Sequence, residues 1–172
     1  MTSTDLTPPT QAPPPRWATA QPWVSTVLRL GVAGVALAAG LAKLTDIPAA
    51  VRAVRAYELL PELLVRPVAI GLPVIEILVG VLLLTGLLTR YAAVVFGLLM
   101  LVFIAGIASV WARGLSIDCG CFGGGGATDA SLTAYPLEIA RDTLFLAGAA
   151  VLVRWPRSRF SLDSALGLVD PA

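Results

Sequence analysis

The chain has 172 residues, of which 57% are hydrophobic and only 13% are charged, and its mean hydropathy is +0.84. These values lie outside the range of soluble domains and predict an integral membrane protein. A net charge of +1, without blocks of like charge, gives no reason to expect a nucleic-acid partner. Histidine is absent, which excludes imidazole bases, Ser/His/Asp triads and histidine-ligated zinc catalysis. Cofactor chemistry would have to use thiols, carboxylates or a bound quinone.

Residues 1–22 are rich in proline and lack the basic and apolar regions of a signal peptide. We therefore predict a disordered N-terminal tail. The membrane domain is predicted over residues 23–156, and residues 157–172 are predicted to form a C-terminal tail.

Four segments are long and apolar enough to cross about 30 Å of hydrocarbon, which takes roughly 20 helical residues. They cover residues 24–44, 68–88, 91–111 and 137–155. The fourth is the weakest, because Glu138, Arg141 and Asp142 lie in its first turns. Glycines recur along all four segments and favour close helix packing. The sequence thus predicts an all-α integral membrane protein built as a four-transmembrane-helix bundle.

The connection between the first two spans is amphipathic, with apolar and charged residues interleaved between Pro48 and Pro61. This pattern predicts a short interfacial helix lying on the membrane surface. Such a helix is either a strap that closes one end of the bundle or a lid over the loop described next.

The two cysteines of the chain, Cys119 and Cys121, lie one residue apart between the third and fourth spans. Cysteines at this spacing can form a disulfide, but the small ring is strained, and strain makes a disulfide easier to reduce. We therefore expect a redox-active pair, with Gly120 and the glycine run 123–126 keeping the loop flexible and accessible. A thiolate site for copper(I) or another soft metal, and inert or merely structural cysteines, are the alternatives.

Three ionisable residues are expected to support the pair. Glu76 lies within the second span, where a charge is costly, so we expect it to be buried beside Lys43 or a hydroxyl such as Thr85. Its role is either a structural pair or a proton relay and quinone contact. Lys43, at the outer end of the first span, is either a snorkelling anchor or a site residue. Arg141 is placed to meet the cysteine loop, where a cation lowers the pKa of a thiol.

Basic residues beside the ends of the spans favour cytoplasmic termini, chiefly because the cluster Arg154 to Arg159 directly follows the fourth span. The expected protein is therefore a multi-pass cell-membrane protein. Its cysteine loop is then extracytoplasmic.

The Cys-Gly-Cys-Phe-Gly stretch at 119–123 resembles the hallmark of the MauE family, the membrane proteins of methylamine utilisation, which are related to DoxX-like membrane proteins. The family is also similar at Gly-Leu-Ala-Lys-Leu 40–44, Tyr-Glu-Leu-Leu-Pro 57–61, Glu76 and Arg141-Asp142. The resemblance covers about residues 24–155.

This resemblance implies a DoxX-like four-helix membrane protein with a redox role on the outer face. In the family, that role is associated with maturation of the disulfide-rich small subunit of methylamine dehydrogenase, together with a thioredoxin-like partner. Many relatives have no link to methylamine. We therefore expect Cys119 and Cys121 to exchange disulfides with an extracytoplasmic thioredoxin-like protein or client. No motif specifies a cofactor, and a quinone in the bundle beside Glu76 is a candidate electron carrier. The rival interpretation is a non-catalytic scaffold for a partner oxidoreductase.

Overall fold

The computed structural model describes residues 16–168. The chain is mostly helical. Residues 1–15 of the predicted N-terminal tail lie outside the described residues, and residues 16–22, predicted to be disordered, are helical. The elements in chain order are α1 (Arg16–Thr45), α2 (Ile47–Ala56), α3 (Glu62–Thr85), α4 (Thr89–Ala112), β1 (Ile117–Asp118), β2 (Gly126–Ala127), a 3-10 turn (Ala130–Leu132), α5 (Tyr135–Arg154) and α6 (Leu162–Ala165).

Among residues 16–168, three helices are long and apolar enough to cross a membrane: Ala20–Thr45 within α1, and the whole of α3 and α4. They coincide with the first three predicted spans, and an all-α membrane protein is confirmed. Helix α3 begins at Glu62, earlier than the predicted start near Val68, because its first turn projects beyond the apolar stretch and Glu62 pairs with Arg55 at the surface. It ends before Gly86, which adopts the left-handed conformation that closes many helices.

Helices α1 and α3 pack closely where one of them presents a glycine. A Cβ atom at Gly40 would lie 2.9 Å from the carbonyl oxygen of Pro73, and one at Gly80 would lie 2.7 Å from Cγ of Leu37. Substitution at either position would push the helices apart. Helix α5 packs on α4, and the core shared by the long helices comprises Val32, Ala33, Ala36, Val79, Leu83, Ala92, Ala93, Phe96, Met100, Ala149 and Leu152.

Helix α2 occupies the place of the short helix expected between the first two spans. Asp46 caps its start, since its Oδ1 accepts a hydrogen bond of 2.9 Å from the backbone N–H of Ala49. The buried face of α2 consists of Ala49, Ala50 and Ala53. These small side chains allow the strands β1 and β2, and the loop that joins them, to approach the helix.

The opposite end of the molecule is closed by residues that were predicted to be a C-terminal tail. Arg29 is buried and donates hydrogen bonds to the carbonyl oxygens of Leu83 and Leu84, at 2.7 and 2.9 Å, and to those of Arg159 and Phe160. Its Nη1 atom satisfies carbonyl groups at the end of α3, whereas its Nη2 atom donates to carbonyl groups after α5 and ties that segment down.

Candidate functional site

The two cysteines lie in the loop between β1 and β2, which follows α4 and precedes α5. The strands are antiparallel and pair Ile117 with Ala127 and Asp118 with Gly126. Tyr135, at the start of α5, fixes the entry to this hairpin, because its hydroxyl accepts a hydrogen bond of 2.8 Å from the backbone N–H of Ile117. The cysteine loop is therefore held by both neighbouring helices.

The glycines of the loop are required by close packing as well as by backbone conformation. Gly120 and Gly125 have φ values of +66° and +96°, which side-chain-bearing residues rarely adopt. A Cβ atom on either would lie 2.7 or 2.5 Å from Cβ of Ala53 on α2. The expectation that the glycines chiefly make the loop flexible and accessible was incomplete, since two of them let it dock against α2.

The two thiols have unequal environments. Cys121 is buried, with 8% of its surface exposed, whereas Cys119 is half-buried. The backbone N–H of Cys121 donates a hydrogen bond of 3.4 Å to Sγ of Cys119. Tyr57, immediately after α2, donates a hydrogen bond of 3.1 Å to the carbonyl oxygen of Cys119. Both cysteines are free thiols in this structure.

This inequality extends to the acidity of the thiols. The hydrogen bond from the Cys121 thiol lowers the pKa of Cys119, with a further contribution from the Cys121 backbone N–H. The same hydrogen bond, together with burial, raises the pKa of Cys121. Cys119 is thus the thiol that ionises first, and Cys121 is the thiol that retains its proton.

Arg141 on α5 lies beside the cysteine loop. Its Nε donates a hydrogen bond of 3.0 Å to Oδ1 of Asp142, and its guanidinium lies 5.1 Å from the ring centroid of Phe122. Its charge is close enough to Cys121 to oppose the rise in the pKa of that thiol. The second carboxylate oxygen of Asp142 is buried and has no hydrogen-bond partner among residues 16–168.

Lys43 and Glu76 form a buried ion pair between α1 and α3. The Nζ atom of Lys43 lies 2.6 and 2.9 Å from the two carboxylate oxygens of Glu76, and 5.3 Å from the ring centroid of Phe103. Lys43 is therefore held inside the protein and does not snorkel to the membrane surface. The hydroxyl of Thr85 instead donates to carbonyl oxygens of its own helix, including that of Val81.

Two cavities meet at the cysteine loop. The larger, which we call the thiol cavity, has a volume of about 210 Å³; its walls are Lys43, Ala50, Ala53, Val54, Tyr57, Leu59, Leu60, Val68, Ala69, Leu72, Val102, Phe103, Cys119, Gly120 and Cys121. The smaller has a volume of about 20 Å³, room for roughly one water molecule. Glu76, Arg141, Asp142 and Cys121 are among its walls. The structure thus gathers all five sequence-predicted site residues around one loop.

Most of the chain is similar in sequence to a known protein family. The family model described as "Methylamine utilisation protein MauE" matches residues 21–154. The chain belongs to the MauE family. A relative named "Methylamine utilization protein MauE", from Paracoccus denitrificans, is 42% identical over 106 residues, which cover 61% of this chain. The matched region is 57% of the length of that relative, and no solved structure matches the chain.

In this MauE-family chain, one group of side chains has the composition of a metal site. A carboxylate oxygen of Asp118, Sγ of Cys119 and a carboxylate oxygen of Glu138 all lie within 4.8 Å of one another. Carboxylates are hard ligands and suit a soft ion such as copper(I) poorly. The arrangement therefore does not favour the soft-metal alternative.

Two residues of this MauE-family site were not assigned a role from the sequence. Tyr57 contacts the backbone of Cys119 and lines the thiol cavity. Asp142 is buried beside Cys121. Both lie in the short stretches that resemble the family, at 57–61 and 141–142, and that resemblance was the available signal.

Proposed function

We propose that this protein is a membrane-embedded thiol-disulfide relay, in which Cys119 exchanges with a partner and Cys121 is the resolving cysteine. The observation that supports the proposal is the inequality of the two thiols. Cys119 is the more exposed and the more acidic, whereas Cys121 is buried and its backbone N–H donates to Sγ of Cys119. An attacking or leaving sulfur needs both access and thiolate character, and Cys119 has both.

The exchange begins with the oxidised Cys119–Cys121 pair and a partner that carries a reduced dithiol. A partner thiolate attacks Sγ of Cys119, the Cys119–Cys121 bond breaks, and Cys121 leaves and takes up a proton. The second partner thiolate then attacks its own neighbour in the mixed disulfide, which forms the partner's disulfide and releases Cys119 as a thiolate. Two electrons pass from the partner to the pair.

The lowered pKa of Cys119 bears on the direction of the exchange. A stabilised thiolate favours the reduced form of a cysteine pair and makes its disulfide a better oxidant. The proposed reaction is therefore formation of disulfides in a thioredoxin-like protein or a disulfide-rich client. The name of the Paracoccus relative points to methylamine utilisation as a context for such a client.

We further propose that α5 is a fourth span, so that the termini are cytoplasmic and the cysteine loop is outside. With 20 residues, α5 is about 30 Å long, enough to cross the hydrocarbon. Tyr135 near its start packs with Ile107 and Val110, whereas Leu152 near its end packs with Ala92 and Ala93. Helix α5 thus accompanies α4 along its length. On intact cells, a membrane-impermeant maleimide should label the reduced loop, and labelling only after lysis would contradict this orientation.

Single cysteine variants test the exchange. In Cys121→Ser, Cys119 lacks its resolving partner, so a mixed disulfide with the partner should accumulate and disappear on treatment with dithiothreitol. Cys119→Ser should give much less of this species, and the double variant should give none. Partner maturation that survives in all three variants, without a mixed disulfide, would instead support the scaffold interpretation.

A further inference from the structure

The chain has no second thiol pair to which Cys119 and Cys121 could pass electrons. It contains two cysteines in total and no histidine. A relay that oxidises a partner must be reoxidised by a separate two-electron acceptor. The thiol cavity lies against both sulfur-bearing residues, and its walls suggest what that acceptor is.

The walls of the thiol cavity are almost entirely apolar, apart from the cysteine loop, Lys43 and the hydroxyl of Tyr57. The cavity lies among α2, α3 and α4, of which α3 and α4 are apolar enough to cross a membrane. Leu60 and Val102 line it and are also exposed on the outer surface, Val102 by 63%. The cavity therefore extends to the face of the bundle that meets lipid. A ligand can reach it sideways from the bilayer.

The polar groups at this cavity are few and specifically placed. Lys43 lines the cavity and its Nζ is held by Glu76, and the ammonium group has a third N–H that can donate a hydrogen bond to a carbonyl oxygen. The Tyr57 hydroxyl is already committed to the carbonyl oxygen of Cys119. A peptide from a partner would bring several backbone N–H and C=O groups that these walls leave unpaired, at a cost of about 1–3 kcal/mol each. A flat apolar ring with one or two carbonyl oxygens avoids that cost.

The volume agrees with a ring of this kind. Sites for drug-sized ligands usually measure about 300–1,000 Å³, and the thiol cavity measures about 210 Å³. This is room for one substituted ring, while a long apolar tail would extend past Val102 into the lipid.

We propose that the thiol cavity binds the ring of a membrane quinone, which reoxidises the Cys119–Cys121 pair. The proposal rests on the proposed function. In the step, both S–H bonds are lost and the Cys119–Cys121 bond forms, while the quinone takes up two electrons and two protons and becomes the quinol. The net reaction of the relay is oxidation of a partner dithiol by the quinone.

The test uses the full chain, purified and reduced in lipid nanodiscs, with decylubiquinone as the probe. Its ring carries no unsubstituted carbon, so a thiol cannot add to it irreversibly. Quinol formation is followed by absorbance, and free thiols are counted with a maleimide. The expected result is one quinol formed for every two thiols lost.

Two matched variants of α3 locate the reaction. Leu72→Trp places a larger ring into the thiol cavity, whereas Leu78→Trp makes the same change on an exposed surface that does not line it. Leu72→Trp should slow quinol formation by about tenfold or more, and Leu78→Trp should leave it unchanged. Both variants should keep the thermal denaturation of the parent protein, which shows that they are folded, and Leu78→Trp should exchange with glutathione disulfide at the unmodified rate.

The outcomes separate the two proposals. If the reduced protein exchanges with glutathione disulfide but forms no quinol, the quinone proposal is wrong and the exchange function stands. Equal rates of quinol formation in both tryptophan variants would place the reaction outside the thiol cavity and overturn the proposal. If the protein does not exchange with any disulfide, the proposed function itself fails.

Discussion

Tyr57 donates its phenolic hydrogen bond to the carbonyl oxygen of Cys119, over 3.1 Å and across 62 positions of the chain. Removing this bond in Tyr57→Phe should lower the free energy of loop opening by about 1 kcal/mol, the usual net value of such a bond. Buried Cys121 should then react about fivefold faster with a maleimide, because the loop opens more often. The rate is measured in the Cys119→Ser background, so that Cys121 is the thiol whose reaction is observed.

Tyr91→Phe is the matched control, since Tyr91 is 70% exposed on α4. It should leave the reactivity of Cys121 unchanged. Equal rates in Tyr57→Phe and the parent protein would mean that Tyr57 does not hold the loop.

Gly125 lies where the cysteine loop touches α2. In Gly125→Ala, the new Cβ atom would meet Ala53 at 2.5 Å in a backbone with φ of +96°, so both clash and strain oppose folding of the loop. We expect the free energy of unfolding, measured by thermal denaturation, to fall by about 2–4 kcal/mol. We also expect a maleimide to label Cys121 faster.

Gly114→Ala provides the comparison, because Gly114 also has a positive φ, +68°, but no atom lies within 4 Å of the new Cβ. It carries the backbone strain without the clash, and should cost about 1 kcal/mol. A cost equal to that of Gly125→Ala would show that contact with α2 is unimportant.

The pH dependence of alkylation reports the acidity of Cys119. Because the pKa of Cys119 lies below its ordinary value, the thiolate persists, and alkylation stays fast, until the pH falls below that lowered pKa. In Cys121→Ala the donated hydrogen bond is lost, so the midpoint of the rate profile should move to higher pH. The measurement is the rate of iodoacetamide reaction between pH 5 and pH 10. An unmoved midpoint would refute the assigned cause.

The Lys43–Glu76 pair should show strong coupling. Lys43→Met or Glu76→Gln alone leaves a buried group without its partner, and each should destabilise the protein by about 3–5 kcal/mol. The double variant should cost less than the sum of the two, because neither charge remains. Denaturation of the parent protein, the two single variants and the double variant measures this coupling. Additive losses in the free energy of unfolding would contradict the pairing.

The helices were largely predictable because their apolar runs are local properties of the sequence. The bounds of α3 were less predictable, because its first turn lies outside the apolar run and pairs Glu62 with Arg55. The two cysteines were predictable as a site from their spacing alone. Their division into a half-buried, more acidic thiol and a buried, protonated one was not, because it arises from hydrogen bonds within the folded loop and from burial of Cys121.

The sequence by itself determined that this is a membrane protein with two closely spaced thiols. Hydropathy and residue spacing are local properties that do not depend on contacts with distant residues. Tertiary structure alone decided that Arg29 ties down the C-terminal segment, that Lys43 turns inward to Glu76, and that an apolar cavity lies against both cysteines. The physical reason is the same in each case. The burial and partners of a charge, the acidity of a thiol and the walls of a cavity depend on residues far away in the chain. Only folding brings those residues into contact.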